Sequence, residues 1–186
     1  TLINKTYTYL KNKYPKKEIM LIKQPTDAAR NTYMFQKMMF NKNHEDINYR
    51  AVQLLTLSDR IQHNSEIIIP SLMDGKIILC DRYIYTSIAN MLGRHYRKEY
   101  WFFDACKEIV KPDITFLAYV EPELAIKRIK SREEEKDRYF DEKLLYRVSN
   151  EFLNLAVSEK MEVLDTSSSV EYPFNLIKKA LERIGL

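Results

Sequence analysis

The chain has 186 residues with 45% hydrophobic content, which is enough to bury one full core and predicts a single domain over residues 1–186. Its formal charge of +4 suits a small anionic ligand but falls short of the concentrated basic patch of a nucleic-acid binder, so we expect no nucleic-acid partner. No apolar run reaches the length of a membrane span, and Cys80 and Cys106 show no zinc or disulfide spacing. We therefore expect a cytoplasmic protein with no membrane partner.

Periodic apolar residues predict helices and strands that alternate along the first half of the chain. Helical spacing opens the chain, and a short apolar run then predicts a buried strand that ends before Gln24-Pro25. Asp27 is expected to cap the helix that follows. The predicted elements are a helix from Leu2 to Tyr14, a strand at residues 19–22, a helix from Asp27 to about Phe40, and a long helix from Tyr49 to about Leu72, interrupted near Pro70.

The second half of the chain repeats this alternation. Strands that are apolar on both faces belong to parallel sheets covered by helices, so the pattern predicts an α/β fold with a doubly wound parallel sheet and helices on both faces. The predicted strands are residues 77–80, 114–120 and 161–164. The predicted helices are residues 84–92, 101–110 and 122–132, a helix with Leu144, Val148, Phe152 and Leu155 on one face, and a last helix from about Val170 to Ile184.

An acid and an arginine, Asp81 and Arg82, follow the predicted strand at residues 77–80. Open α/β sheets bind their ligands at the carboxyl edge of parallel strands. A carboxylate there can hold Mg²⁺ or its waters, and a guanidinium can bind a phosphate through two parallel hydrogen bonds. The pair therefore suits a site for a phosphate and a metal ion. From these two residues alone, a surface salt bridge at a strand end remains an alternative interpretation.

Glycine is rare in this chain, with Gly75, Gly93 and Gly185 only. Average usage of about 7% would give roughly a dozen. A nucleotide enzyme normally places several glycines in a phosphate loop, and no G-x-x-x-x-G-K-[ST] motif is present in the sequence. Any assignment to such an enzyme has to account for this.

Four segments, in order, resemble the thymidylate kinase family. Residues 122–156, PELAIKRIKSREEEKDRYFDEKLLYRVSNEFLNLA, resemble the lid and following helix of the bacterial enzymes. The resemblance implies a P-loop NTPase fold with a lid at about residues 131–140, and ATP-dependent conversion of a deoxynucleoside monophosphate, dTMP to dTDP, by a Mg²⁺-dependent homodimer. The other three segments are Gln24-Pro25-Thr26, Leu54-Leu55 with Arg60, and Asp81-Arg82-Tyr83.

The resemblance assigns catalytic roles to three of these residues. Arg82 is expected to hold the acceptor's phosphate, and Asp81 to orient Mg²⁺ or its water shell. Arg132, in the lid, matches the arginine that clamps the transferring phosphoryl group, a role that contributes about 10³ to 10⁵ in rate.

The resemblance also implies residues that bind the two nucleotides. Arg60 would read a base carbonyl, although an ion pair with Asp59 or Glu66 is the alternative. Arg128 would lie over the adenine of ATP, although a solvated helix face is the alternative. Tyr139, after Arg138, would approach the acceptor sugar, or else pack at a helix start. In full, the expected acceptor-binding residues are Pro25, Thr56, Arg60, Arg82, Ser87, Asn90 and Tyr139, and the expected ATP-binding residues are Thr1, Arg128 and Arg132.

The chain departs from the family where the acceptor base is chosen. Thr56 stands where the family has the phenylalanine on which thymine stacks, a contact worth about 1 to 3 kcal/mol. Asn90 replaces an aromatic residue near the sugar, and Glu133 replaces a glycine of the bacterial lid. Either the acceptor is not dTMP, or another aromatic residue contacts the base; the candidates are Tyr33, Phe35 and Tyr85.

Two other functions remain open at this point. The first is a deoxynucleoside kinase, whose arginine-rich lid the segment at residues 128–133 also resembles. The second is a non-catalytic nucleotide-binding module without a phosphate loop. The resemblance implies that Thr1 follows the lysine of the family's phosphate loop. We therefore expect roughly a dozen or more preceding residues in the natural protein, enough for that loop and a strand of typical length. In the family, this strand lies between the two that match residues 77–80 and 114–120.

Overall fold

Two pairs of parallel strands form the sheets of the computed structural model, which describes residues 1–41, 46–133 and 139–186. In the first pair β1, Ile19–Lys23, lies beside β2, Ile77–Asp81, and in the second β3, Phe116–Tyr119, lies beside β4, Glu162–Asp165. Within the described residues, no ladder hydrogen bonds join one pair to the other. The α/β class and the parallel strands are as expected, but a single doubly wound sheet is not present as one ladder.

Helices make up most of the remaining structure. A π-helical turn, Asn64–Ile68, joins α4 to α5, and a 3₁₀ turn, Cys106–Glu108, follows α7. The α-helices are α1 Leu2–Lys13, α2 Asp27–Arg30, α3 Tyr33–Phe40, α4 Tyr49–His63, α5 Ile69–Met73, α6 Ile84–Gly93, α7 Tyr100–Ala105, α8 Pro122–Lys130, α9 Glu142–Ser158 and α10 Glu171–Arg183. No helix among the described residues is both long and apolar enough to cross a membrane.

Two of the differences from the predicted helices have a clear local cause. The helix expected from Asp27 to Phe40 is two helices, because the Thr32 side chain accepts a hydrogen bond from the Phe35 backbone N–H at 3.3 Å and starts α3 anew. The long helix changes its hydrogen bonding at the π-helical turn, before Pro70. Pro70 itself lies in the first turn of α5, where its missing N–H costs nothing.

The core lies between the helices and the two strand pairs. One buried apolar cluster joins α4, α6 and α7 through Val52, Leu57, Met91 and Phe102. A second cluster packs α1 and α10 against β1 and β2. Helix α9 lies directly on α6, where Gly93 has no room for a side chain because a Cβ there would come within 2.7 Å of Val148 Cγ2. The first cluster brings α4 against α6, which begins shortly after β2.

Candidate active site

The end of β2 exposes the two charged residues that the sequence singled out. Asp81 is the last residue of the strand, and Arg82 follows it in the left-handed region with a φ of 65°; both side chains are exposed. A non-glycine residue in this region costs roughly 1 kcal/mol, so the surrounding structure must hold the turn. The Cys80 thiol does so in part, by donating to the Arg82 carbonyl at 2.9 Å.

The loop after β1 lies next to this turn and is fastened to two helices. The Gln24 N–H donates to the Asp81 carbonyl at 3.2 Å, which continues the pairing of β1 with β2. The Thr26 N–H donates to Asp59 Oδ2 of α4 at 2.8 Å, and its hydroxyl also contacts that carboxylate. Arg30 of α2 donates through Nε to the Pro25 carbonyl at 2.7 Å. Residues 24–26 are thus held on three sides.

A buried guanidinium lies between α4 and this loop. Arg60 is 1% exposed, and one of its terminal nitrogens donates to Gln24 Oε1 at 2.6 Å. Burial lowers the pKa of Arg60 to about 10, opposed by the nearby Cys80 and Asp59, so the side chain stays charged at neutral pH. Its bond to Gln24 takes the place of the expected alternative, an ion pair with Asp59 or Glu66. Arg60 Nε is buried without a hydrogen-bond partner among the described residues.

Helices α4 and α6 supply further predicted acceptor residues. Thr56 lies one turn before Arg60 and is buried, with its hydroxyl donating to the Gln53 carbonyl at 3.3 Å. Ser87 is buried on α6, and the Asn90 amide donates to the Thr86 carbonyl at 2.8 Å. Both polar side chains that replace family aromatics are therefore satisfied by backbone groups of their own helices.

The three aromatic candidates for a base contact have different surroundings. Tyr33 is largely exposed, and Tyr85 approaches Glu159 with its hydroxyl at 3.5 Å. Phe35 is buried, and the Arg30 guanidinium lies over its ring at 5.7 Å from the centroid. Because Arg30 also donates to the Pro25 carbonyl, Phe35 is connected to the acceptor loop through Arg30.

The predicted ATP-binding arginines lie in a second group. Arg128 on α8 donates to the Ser167 carbonyl at 3.0 Å, just after β4, so it lies at the carboxyl edge of the β3–β4 pair. Arg132 is exposed in the turn after α8. Thr1 is exposed at the start of α1, where its carbonyl accepts from the Lys5 N–H at 3.2 Å.

The lid predicted at residues 131–140 is only partly described. Arg138 lies outside the described residues. The Tyr139 N–H donates to the Met39 carbonyl at 2.9 Å, so the chain returns from the lid against the end of α3. Tyr139 is half-buried there.

The structure thus joins part of the predicted site and leaves part separate. Arg60 and Asp81 are both hydrogen-bonded to Gln24, the residue that precedes Pro25 in the chain, while Arg128 and Arg132 belong to the other strand pair. The sequence placed Gln24 in a segment that resembles the family and offered Asp59 as an alternative partner of Arg60, but it assigned no role to Arg30 or His63. No sequence pattern distinguishes these two residues from the other polar residues around them.

Asp81 is suited to bind Mg²⁺ as a lone protein carboxylate. Its side chain is exposed at the strand edge, and the described residues contain no cluster of three acidic, histidine or cysteine side chains that could form a complete metal cage. Mg²⁺ in phosphoryl-transfer enzymes is commonly held by one or two carboxylates together with substrate phosphates and waters. The residues present fit that mode of binding.

Comparisons with known proteins agree on one family. The sequence model of the thymidylate kinase family matches residues 4–177. A probable thymidylate kinase of Thermococcus kodakarensis is 31% identical over 176 residues, which cover 90% of this chain and 84% of the relative. A thymidylate kinase of Aster yellows witches'-broom phytoplasma is 28% identical over 186 residues, covering 95% and 89%.

A solved structure supports the fold independently. The crystal structure of a thymidylate kinase from Ehrlichia chaffeensis superposes with a TM-score of 0.69, covering 97% of this chain and 90% of that one. The two sequences are 22% identical, so this similarity shows the α/β fold and nothing further.

Proposed function

We infer that the chain, which belongs to the thymidylate kinase family, is a phosphotransferase that makes dTDP from dTMP and ATP. One structural observation carries the assignment of its acceptor site. The buried guanidinium of Arg60 is hydrogen-bonded to Gln24, whose N–H donates to the carbonyl of Asp81, the last residue of β2 and the neighbour of Arg82. A donor for a base and a donor for a phosphate thus belong to one connected group of elements.

In this site, Arg82 binds the acceptor's phosphate through two parallel hydrogen bonds. Arg60 donates to a carbonyl of the base, since a guanidinium has donors only. The remaining acceptor contacts come from the loop after β1, from the facing sides of α4 and α6, and from the chain that follows the lid. These residues are Pro25, Thr56, Ser87, Asn90 and Tyr139.

The donor nucleotide is bound at the β3–β4 edge and under the lid. Arg128 lies against the adenine, and Thr1 contributes at the start of α1. Arg132 neutralises charge on the phosphoryl group in transit, because charge neutralisation and positioning supply most of the catalysis in this chemistry. Arg132 is exposed, which leaves its side chain able to approach bound ATP.

Phosphoryl transfer itself needs little covalent chemistry from the protein. An oxygen of the acceptor phosphate attacks the γ-phosphorus of ATP, the bond from that phosphorus to the bridging oxygen breaks, and ADP leaves. Arg82 aligns the attacking oxygen, and Asp81 would hold Mg²⁺ directly or through water. When bound, the metal ion offsets the negative charge of the ATP phosphates.

We also propose the finer architecture that the family resemblance implied. Both strand pairs are parallel, and the similarity to the Ehrlichia chaffeensis structure extends over nearly the whole chain, which supports one doubly wound sheet. A homodimer through α4 is supported by Leu54, an apolar side chain that is 56% exposed. Light scattering of the wild type and of Leu54→Glu tests the dimer, which requires the variant to lose mass. Cys80 and Cys106 are both free, consistent with the cytoplasm.

A panel of acceptors tests the function. The full-length protein is assayed with ATP and Mg²⁺ against dTMP, dUMP, dCMP, dGMP, dAMP and thymidine. We expect dTMP to have the highest kcat/KM and thymidine to remain unreacted. Phosphorylation of thymidine without phosphorylation of any monophosphate would identify a deoxynucleoside kinase instead. The absence of any transfer, with ATP still bound, would identify a non-catalytic module.

A further inference from the structure

The Gln24 side chain is hydrogen-bonded to the Arg60 guanidinium on one side and to His63 on the other. We propose that Gln24, itself fixed by His63, is a positioning residue that orients Arg60 and so sets how the enzyme discriminates between acceptor bases. This inference rests on the proposed function, because it assigns a supporting group to the same acceptor site.

Gln24 is completely buried and uses both ends of its side-chain amide. Its Oε1 accepts from Arg60 at 2.6 Å, and its Nε2 lies 3.1 Å from Nδ1 of His63. Arg60 is a donor only, so the oxygen of the amide must face it and the amide nitrogen must face His63. The direction of the amide is therefore determined by its two neighbours.

The same reasoning determines which nitrogen of His63 carries the proton. The Gln24 amide nitrogen only donates, so Nδ1 of His63 has to accept, and the ring proton belongs on Nε2. With the opposite tautomer, two donors would face each other across 3.1 Å. The amide would then favour the flipped orientation, which turns its NH₂ group toward the Arg60 guanidinium.

Arg60 has too little exposed surface for water to replace this bond. It is 1% exposed, its Nε is buried without a partner among the described residues, and Gln24 supplies an acceptor to one of its terminal nitrogens. A buried charge that loses its acceptor is strongly destabilised, so the side chain would reorient. The nitrogen that reads the base would move with it.

Base discrimination is the property that this movement would change. The base of dTMP presents a carbonyl oxygen where that of dCMP presents an amino group. A correctly placed guanidinium favours the carbonyl and leaves the amino group facing another donor. A displaced guanidinium loses both effects, so the preference for dTMP over dCMP should fall together with the affinity for dTMP.

The experiment compares four variants with the wild type. Gln24→Leu removes both hydrogen bonds at similar volume, and His63→Leu removes only the second. His63→Asn restores an acceptor oxygen close to the position of Nδ1. Gln62→Leu is the control, since Gln62 is an exposed neighbour on α4 that bonds Glu66. Each protein is assayed for kcat and KM with dTMP, dCMP and ATP, and its thermal midpoint is recorded.

We expect Gln24→Leu to raise the KM for dTMP about tenfold and to lower the dTMP to dCMP ratio of kcat/KM by a similar factor, with the KM for ATP unchanged. His63→Leu should act in the same direction but more weakly. His63→Asn should recover most of the ratio, and Gln62→Leu should match the wild type.

A purely structural role for Gln24 would give a different result. The thermal midpoints would fall in Gln24→Leu and His63→Leu while the dTMP to dCMP ratio stayed at its wild-type value, and this would overturn the proposal. His63 is only half-buried, so its two variants test the proposal even where Gln24→Leu fails to fold. A wild type that phosphorylates no monophosphate would instead contradict the proposed function.

Discussion

The acceptor half of the candidate site and its donor half are built in different ways. In the acceptor half, Arg60 is buried and bonded to Gln24, and the loop around Pro25 is fastened to α2 and α4. In the donor half, Arg128 bonds one carbonyl of the loop after β4, and Arg132 is exposed beyond the end of α8. Arg60 and the loop around Pro25 are held by hydrogen bonds to neighbouring elements, whereas Arg132 is exposed to solvent.

This difference matches the two tasks of a phosphoryl-transfer site. Recognition of a base requires donors whose positions are set before the ligand arrives, because reorganisation on binding costs affinity. Charge neutralisation on the transferring group instead requires a cation that can approach once ATP is bound. Substitutions in the acceptor half should therefore change acceptor recognition, and those in the donor half should change turnover.

The largest expected effect is in the donor half. Arg132→Ala should lower kcat by about 10³ to 10⁵ and leave the KM for dTMP nearly unchanged, because we propose that this arginine acts on the phosphoryl group in transit. Lys130→Ala is the matched control, since Lys130 is an exposed cation of α8 that pairs with Glu142. If the variant loses only affinity for dTMP, then Arg132 belongs to the acceptor half and its proposed role is wrong.

Arg82→Ala should reduce kcat/KM for dTMP by about 10², through both a higher KM and a lower kcat, because the acceptor's phosphate would be bound and aligned less well. Steady-state kinetics with each substrate varied in turn provides the measurement, with Lys98→Ala, another exposed cation, as the control. If the variant changes only the affinity for ATP, then Arg82 belongs to the donor half and its assignment to the acceptor half is wrong.

The burial of the acceptor half should also slow thiol chemistry. Burial raises the pKa of Cys80 to about 12, against the opposing effect of Arg60, so the thiolate is scarce at neutral pH. In a Cys106→Ala background, we expect alkylation of Cys80 at pH 8 to be at least about tenfold slower in the native than in the denatured protein, and to speed up as the pH rises. Mass spectrometry measures the extent of alkylation. Rapid alkylation of Cys80 at pH 7 would show that its thiol is accessible to solvent and would contradict the burial of this half.

The smallest expected effect concerns the missing aromatic surface. Thr56→Phe should lower the KM for dTMP several-fold, up to about tenfold, because a ring at this position can stack on the base. Thr56→Val keeps the volume without a ring and should leave the affinity for dTMP close to that of the wild type. If both variants behave alike, then Thr56 does not face the base, and Phe35 becomes the stronger candidate.

The sequence predicted the parts of this structure that depend on local pattern. The runs at residues 19–22 and 77–80 form paired parallel strands, as their apolar character on both faces indicated, and α6 and α9 lie where helical spacing placed them. The charged pair does stand at the carboxyl edge of β2. Local patterns are sufficient here because the burial of a strand or of a helix face shows in the spacing of apolar residues along a short segment.

The sequence could not predict contacts between distant segments. Gln24 and Arg60 are 36 positions apart, and neither residue type by itself indicates a buried hydrogen bond. The restart of the helix at Thr32 was also missed, and the interruption expected near Pro70 takes the form of a π-helical turn at Asn64–Ile68. In each case the local structure depends on which tertiary partner or backbone group a polar side chain reaches. The spacing of residues along the chain does not indicate that partner.

A crystal structure of the full-length protein with dTMP bound tests the central claim most directly. The account predicts that the phosphate lies within hydrogen-bond distance of the Arg82 guanidinium, and that Arg60, still bonded to Gln24, donates to a carbonyl of the base. Binding of dTMP away from the end of β2, or with its base turned toward α8 and Arg128, would contradict the account.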